Sequence, residues 1–218
     1  MSSRSVRDTC PRTLAAALCG YVLGLVPSAN AVSRLTTGGA VDLRSAGSGN
    51  PGGMNAFRIL GRRAGLLVIG ADIAKGILAC AVGRAVAGDA GAHAAGVGAV
   101  AGHCYPVSNR FRGGRGIATS FGQCVATFPA FAPLDAATAI LVARRPSIRR
   151  PALASVAVSS SAWLLASVVW WKRRLPNLWG PRPTAMLPLA NAATIAVIAS
   201  RALLLFRRQH ADRPSESR

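Results

Sequence analysis

The sequence predicts an all-α fold: a polytopic transmembrane helix bundle of about seven spans with glycine-rich cytoplasmic loops. Three observations carry this. Apolar runs near the ~20 residues that cross a bilayer as helix recur along the 218-residue chain. Charged residues make up 15% of it, where a soluble domain carries about 25%. The 26 basic residues gather between the apolar runs, as juxtamembrane residues facing an anionic leaflet do.

In chain order, residues 1–12 form a polar, arginine-bearing tail and 13–206 one integral membrane domain. The first apolar run, 13–32, carries Ala29-Asn30-Ala31, which looks like a signal-peptide cleavage site. Pro27 and the later runs favour a first transmembrane helix. A polar loop, 34–63, leads to a second span at 65–86, then a short turn at 88–91 and a small-residue helix at 92–107. A fourth span is expected at 117–131. Residues 133–143 are apolar but short, and either span or re-enter the membrane. The run 152–171 ends in Trp170-Trp171, an interfacial anchor. A basic loop, 172–183, precedes the last span at 184–206, and 207–218 is a polar tail.

Loop charge orients the chain. The loops 34–63, 109–115 and 144–150 are rich in arginine, which puts them on the cytoplasmic side of the inner (plasma) membrane. The basic loop at 172–182 falls on the other side and opposes this reading. The net charge of +19 suggests nucleic acid, but no zinc finger, RNP-like aromatic pattern or heptad-bearing basic tail accompanies it. A lipid bilayer is the expected partner, and no nucleic acid. Cys10, Cys19, Cys80, Cys104 and Cys124 contain no CxxC pair, so neither a disulfide framework nor a metal site is expected.

Two motifs carry the chemistry. Gly47-Ser48-Gly49-Asn50-Pro51-Gly52-Gly53-Met54-Asn55-Ala56-Phe57-Arg58 is a glycine-dense loop able to turn backbone N–H groups toward an anion. It formally matches a dinucleotide fingerprint, with Asp72 at the right offset. That match fails on context, because no strand precedes it and Asp72 lies within an apolar span. The second motif runs from Gly102-His103 through Arg112-Gly113-Gly114-Arg115-Gly116 to Thr119. A glycine turn entering a helix beside two guanidinium groups suits an anion. Between the motifs, Asp72 and Lys75 share one helical face at i, i+3 within a span, where ionisable groups are costly. His103 is a general base or an orienting group.

These residues resemble the bacterial acyl-phosphate:glycerol-3-phosphate acyltransferases, the PlsY family. The family's first motif is matched by Gly47 to Gly52, Asn55 and Arg58, with Asp42-Leu43-Arg44 upstream. Its second is matched by Gly102, His103, Pro106, Phe111, Gly113, Gly114, Gly116, Ala118 and Thr119, and Asp72, Lys75 and Gly76 fit the span between. Gly53-Met54 replaces the family's Ala-Thr, and Arg112 and Arg115 replace lysines. The family's third motif, with His and Asn before a basic stretch, has no counterpart in 198–209.

The resemblance implies a seven-span enzyme with a cytoplasm-facing site. It moves a fatty acyl group from acyl phosphate to the sn-1 hydroxyl of glycerol 3-phosphate, giving lysophosphatidic acid and phosphate, without cofactor or metal. On this reading His103, Lys75 and Ser48 are catalytic and Asp72 orients Lys75. Gly47, Ser48, Gly49, Asn50, Gly52, Asn55, Arg58, Arg112, Gly113, Gly114, Arg115, Gly116 and Thr119 bind substrate phosphate. The alternative is a non-catalytic relative that binds an anionic lipid or phosphate compound.

Overall fold

The computed structural model describes residues 3–211, with side chains from 10 to 207, and that stretch is helical throughout apart from its loops. The helices are α1 (Ser3–Gly24), α2 (Ser28–Thr37), α3 (Gly53–Ile59), α4 (Arg62–Cys104), α5 (Ile117–Thr127), α6 (Ala132–Ala143), α7 (Pro151–Arg173) and α8 (Met186–Ala211). Helix α1 therefore starts inside the segment read as an N-terminal tail. Helix α8 likewise runs into the C-terminal one. Residues 1–2 and 212–218 lie outside the described residues.

Helix α4 organises the bundle. Its 43 residues would extend about 65 Å as one rod, twice the ~30 Å hydrocarbon core. The rod is broken at Ala87 (φ −141°, ψ 27°) and Gly88 (φ 61°, ψ −150°), and its arms, 62–86 and 89–104, fold back on each other. Gly88 takes the left-handed φ that the reversal needs. The turn thus comes slightly before the 88–91 segment expected to hold it. Backbone contact seals the hairpin: a Cβ on Gly83 would collide with the Gly91 carbonyl, and one on Gly91 with that of Gly83.

The same device docks the neighbours. Helix α1 lies on the second arm, with Gly20 against the Ala95 carbonyl and Gly98 against that of Ala17. Helix α5 crosses the first arm where Gly76 meets the Thr119 carbonyl. Small residues let helix backbones approach this closely in a membrane, where no hydrophobic force drives helices together.

Two boundaries differ from expectation. The first span stops at Gly24, and α2 forms a separate short helix after Pro27. The span expected at 117–131 ends at Thr127; the turn 128–131 separates it from α6, which covers the ambiguous segment. Neither short helix reaches across ~30 Å at 1.5 Å per residue. Their junction is filled by Phe128, Phe131 and Trp170, with ring centroids 5.3–6.5 Å apart. Four stretches among the described residues are long and apolar enough to cross a membrane, and the one containing α4 is the hairpin. Leu14, Leu18, Leu165, Leu189 and Leu203 are exposed on the outer face, where a bilayer covers them.

Gly83→Leu is expected to destabilise the fold by at least about 1–3 kcal/mol through overpacking. Gly70, also in the first arm, has open space where its Cβ would stand. Gly70→Leu should change stability by under about 0.5 kcal/mol. Thermal unfolding of both variants in detergent checks the contrast.

Candidate active site

The hairpin brings the two ionisable clusters together. Asp72 stands sixteen residues before Gly88 and His103 fifteen after it, so both reach the same end of the bundle. That end lies opposite the α4 reversal. There Lys75 Nζ is 2.9 Å from Asp72 Oδ1 and 3.2 Å from His103 Nδ1. His103 Nδ1 is also 3.5 Å from Asp72 Oδ1. Lys75 donates further to the Val26 carbonyl at 3.0 Å and the Ser28 hydroxyl at 3.3 Å. The ammonium, almost wholly buried, thus ties the α1–α2 break to both arms of α4. The pair is recessed about 15 Å from the start of the first arm, by helical rise.

A cavity opens over this cluster. Asp72, Lys75, His103, Arg112, Gly113 and Gly114 line it, all of them among the expected site residues. Ser28, Asn30, Arg44, Pro51, Ser108 and Asn109 line it too. The glycines at 113 and 114 are required by approach to the histidine. A Cβ on Gly113 would strike the His103 carbonyl, and one on Gly114 the ring Nε2. Their N–H groups bond back to Cys104 and His103 carbonyls at 3.2 and 3.1 Å.

The first glycine loop sits beside this cavity with Asn55 as its internal pin. Asn55 Oδ1 accepts from the Ser48 N–H at 3.0 Å, and its amide donates to the Leu43 and Ala46 carbonyls at 3.0 and 2.9 Å. All of this amide's hydrogens are engaged with backbone, so Asn55 shapes the loop from beneath. Gly47 (φ 61°) passes so close that a Cβ would collide with Asn55 Oδ1. The expected nest of N–H donors is partly closed on itself: Ser48 bonds Asn55, Gly49 the Ala46 carbonyl and Gly52 the Asn50 carbonyl. Asn50 keeps a buried side-chain oxygen with no hydrogen-bond partner. The Ser48 side chain is exposed at the loop tip.

The remaining expected residues stand apart from the cavity lining. Arg58 and Arg115 are exposed, on α3 and just before α5. Gly116 (φ 81°) caps α5, packed on Cys104. Thr119 is fully buried where α5 crosses α4, so helix packing, not the cavity, holds it.

Several residues that shape the site were given no role in it from the sequence, Asp42 and Arg44 being noted only as part of the motif match. Arg44 joins the two glycine loops, donating to Asn109 Oδ1 at 2.9 Å while bound to Asp42 at 3.1 Å. The Arg44 N–H, bonded at 2.9 Å, is the main cause that holds the Asp42 carboxyl below its ordinary value. Tyr21 on α1 donates to the Tyr105 carbonyl at 2.8 Å and accepts from the Val107 N–H at 3.2 Å. Helix α8 also reaches this loop. Arg201, buried, donates to the Gly113 carbonyl at 2.6 Å, and its guanidinium lies 5.9 Å from the Tyr105 ring centroid. Ser200 shares a 2.7 Å hydrogen bond with the Tyr105 hydroxyl. The available signal for Arg201 was its place as the one charged residue in the apolar run 184–206.

Arg201→Met should detach the second glycine loop from α8 and leave the Gly113 carbonyl unpaired, costing about 2 kcal/mol. Faster hydrogen exchange at residues 105–116, with the hairpin still protected, is the expected mark. Asn55→Leu should release the first loop in the same way, losing about 3 kcal/mol for its three bonds. Proteolytic cleavage within 44–52 would report it.

Comparison with known proteins follows the same lines. The sequence profile of the glycerol-3-phosphate acyltransferase family matches residues 14–212. A glycerol-3-phosphate acyltransferase of Thermoanaerobacter pseudethanolicus is 34% identical over 71% of this chain and 76% of its own length. A Bacillus cereus protein, glycerol-3-phosphate acyltransferase 2, is 37% identical over 72% of this chain and 85% of its own. The match to the Exiguobacterium sibiricum acyltransferase, at 43% identity, spans about half of that relative, 53%. The chain also resembles solved structures of PlsY, an integral membrane glycerol 3-phosphate acyltransferase. Its lysophosphatidic acid form has a TM-score of 0.72 at 25% identity, covering 91% of this chain and 92% of that one. The glycerol 3-phosphate form has a TM-score of 0.69 at 24% identity, covering 97% and 96%.

Proposed function

The chain belongs to the glycerol-3-phosphate acyltransferase family, and from that premise we propose that it acylates the sn-1 hydroxyl of glycerol 3-phosphate with acyl phosphate as donor. The products are lysophosphatidic acid and phosphate. The observation that carries the reading is the cavity itself. It holds the Asp72–Lys75–His103 cluster at its base, and Arg44, Arg112 and the Gly113-Gly114 backbone in its walls.

Both substrates are phosphate compounds, so both need cationic contacts. The donor is already activated, so the protein has chiefly to hold the reactants in line and stabilise the charge that develops on the acyl oxygen. The sn-1 oxygen attacks the acyl carbonyl carbon, the carbon–oxygen bond to phosphate breaks, and phosphate leaves with the bonding pair. The hydroxyl proton is taken up by the His103 imidazole, whose Nδ1 lies 3.2 Å from Lys75 Nζ and 3.5 Å from Asp72 Oδ1. Lys75 and Asp72 hold that ring in place, and Lys75 adds a fixed positive charge beneath the reacting phosphate.

Arg44 and Arg112 meet the phosphate groups in the cavity. Gly47, Ser48, Gly49, Asn50 and Gly52 form the loop beside the first phosphate position and Gly113 to Gly116 the loop beside the second, the N–H groups of Ser48, Gly49, Gly52, Gly113 and Gly114 being engaged in shaping these loops. Arg58 and Arg115, exposed at the two motifs, are contacts for incoming phosphate. Asn55 acts as a positioning residue. The site end faces the cytoplasm across the inner membrane. Two arginine-rich loops, 34–63 and 109–115, meet there through Arg44 and Asn109. Val156, near the start of α7, packs beside Tyr105 and Ile198, which supports the same end for the basic loop 144–150.

Purified protein in detergent, supplied with acyl phosphate and glycerol 3-phosphate, should release phosphate and form lysophosphatidic acid, with release falling to background when glycerol 3-phosphate is omitted. Lys75→Met should lower turnover at least about 100-fold, since it removes a positioned charge. Acyl-phosphate binding without turnover in the wild-type protein would instead select a non-catalytic binding role.

A further inference from the structure

The segment joining α7 to α8 is the strongly basic stretch that the proposed reaction does not use. It lies at the opposite end of the bundle. Arg84 and Asp89 flank the α4 reversal, about 20 Å by helical rise from Asp72 and His103. The segment is fastened there by a network of its own. Buried Asn177 donates to the Thr127 carbonyl at 3.0 Å and the Pro181 carbonyl at 2.7 Å. The Trp179 indole N–H donates to the Val125 carbonyl at 3.1 Å, and the Trp170 indole to that of Pro176 at 3.1 Å. Arg84 donates to the Trp179 carbonyl at 3.2 Å and pairs with Asp89 at 3.2 Å. Asp89 in turn accepts from the Arg182 N–H at 3.3 Å.

The clamp presents a distinct surface. Lys172, Arg173, Arg174 and Arg182 are exposed, and the nearby carboxylate of Asp89 is already paired with Arg84. Lys172 sits 4.3 Å from the centroid of the Trp171 ring. Among these cations, Leu178 and Trp179 are 68% and 65% exposed. Arg174 and Leu178 hold left-handed backbone (φ 51° and 48°), a conformation that non-glycine residues seldom adopt and that this network maintains.

We propose that this loop is a preformed binding surface for anionic phospholipid headgroups of the leaflet opposite the site. Charge complementarity names the phosphate-bearing, net-negative headgroup. The exposed Leu178 and Trp179 name a lipid rather than a soluble polyanion, because an apolar side chain and an indole are favoured at the headgroup–acyl boundary and gain nothing from a hydrated anion. The surface also explains why so basic a loop lies on the side where the charge rule for membrane topology expects few arginines. Its order means that little conformational entropy is lost when lipid binds.

The four tryptophans, Trp163, Trp170, Trp171 and Trp179, are a built-in reporter. Trp163 is buried within α7, and the other three stand at this loop. The full chain is reconstituted in phosphatidylcholine bilayers carrying either brominated phosphatidylglycerol or brominated phosphatidylcholine at equal mole fraction. The anionic lipid should quench tryptophan fluorescence more strongly, and high salt should abolish the difference. The combined variant K172Q/R173Q/R174Q should lower the preference at least about fivefold, from the ~1 kcal/mol that each basic residue contributes at an anionic surface. A control variant at the other end, R144Q/R145Q/R149Q/R150Q, should keep it. Equal quenching by both lipids in the wild type, or an unchanged preference in the triple variant, would overturn the proposal. Phosphate release in pure phosphatidylcholine should be the same for the wild type and the triple variant, so this test stands or falls apart from the acyltransferase reading.

Discussion

The buried Asp72–Lys75 pair is the interaction on which the rest of the structure depends. An ammonium within a membrane bundle is tolerated only where it is neutralised and hydrogen-bonded. Lys75 meets that demand with four neighbouring groups from three segments: Asp72 on its own arm of α4, the Val26 carbonyl and Ser28 hydroxyl at the α1–α2 break, and His103 from the returning arm of α4. Each neighbour must be close for the charge to stay buried. The pair therefore holds α1 at Gly24, sets the start of α2 and keeps His103 facing the cavity. Removing either partner leaves an uncompensated charge at the point where three segments meet.

That cluster can form only because the helices lie almost backbone to backbone. Gly83 against Gly91, Gly20 against Ala95 and Gly76 against Thr119 leave no room for a side chain between them. The glycines at 113 and 114 continue the same principle into the site, where the close neighbour is a histidine. Glycine here serves packing in the bundle and access in the loop, and the two uses meet at His103.

The third support comes from α8. This last helix contacts the second glycine loop. Arg201 holds the Gly113 carbonyl and Ser200 the Tyr105 hydroxyl, while Tyr21 on α1 grips the same loop from the other side. The loop over His103 is thus held between the first and last long helices. The first glycine loop is held differently, by the single amide of Asn55 beneath it and by Arg44 across to Asn109.

The amino-acid sequence alone determined the helical membrane class and marked out the two glycine motifs and the ionisable residues Asp72, Lys75 and His103, which the structure brings together. Each of these is a local signal: an apolar run of bilayer length, a glycine density that no helix interior carries, an ionisable group where hydrocarbon is expected. What it could not determine is which backbone donors face outward. The N–H groups of Ser48, Gly49 and Gly52 and the amide of Asn55 looked like anion ligands, but hydrogen bonds inside the loop engage them. Thr119 looked like part of a phosphate turn, but the α4–α5 crossing buries it. Arg201 drew no attention in the sequence, and the approach of α8 to the second glycine loop sets it against the Gly113 carbonyl. Those outcomes rest on contacts that no local pattern shows: within the first loop between residues up to 12 positions apart, and between Arg201 and Gly113 across 88 positions.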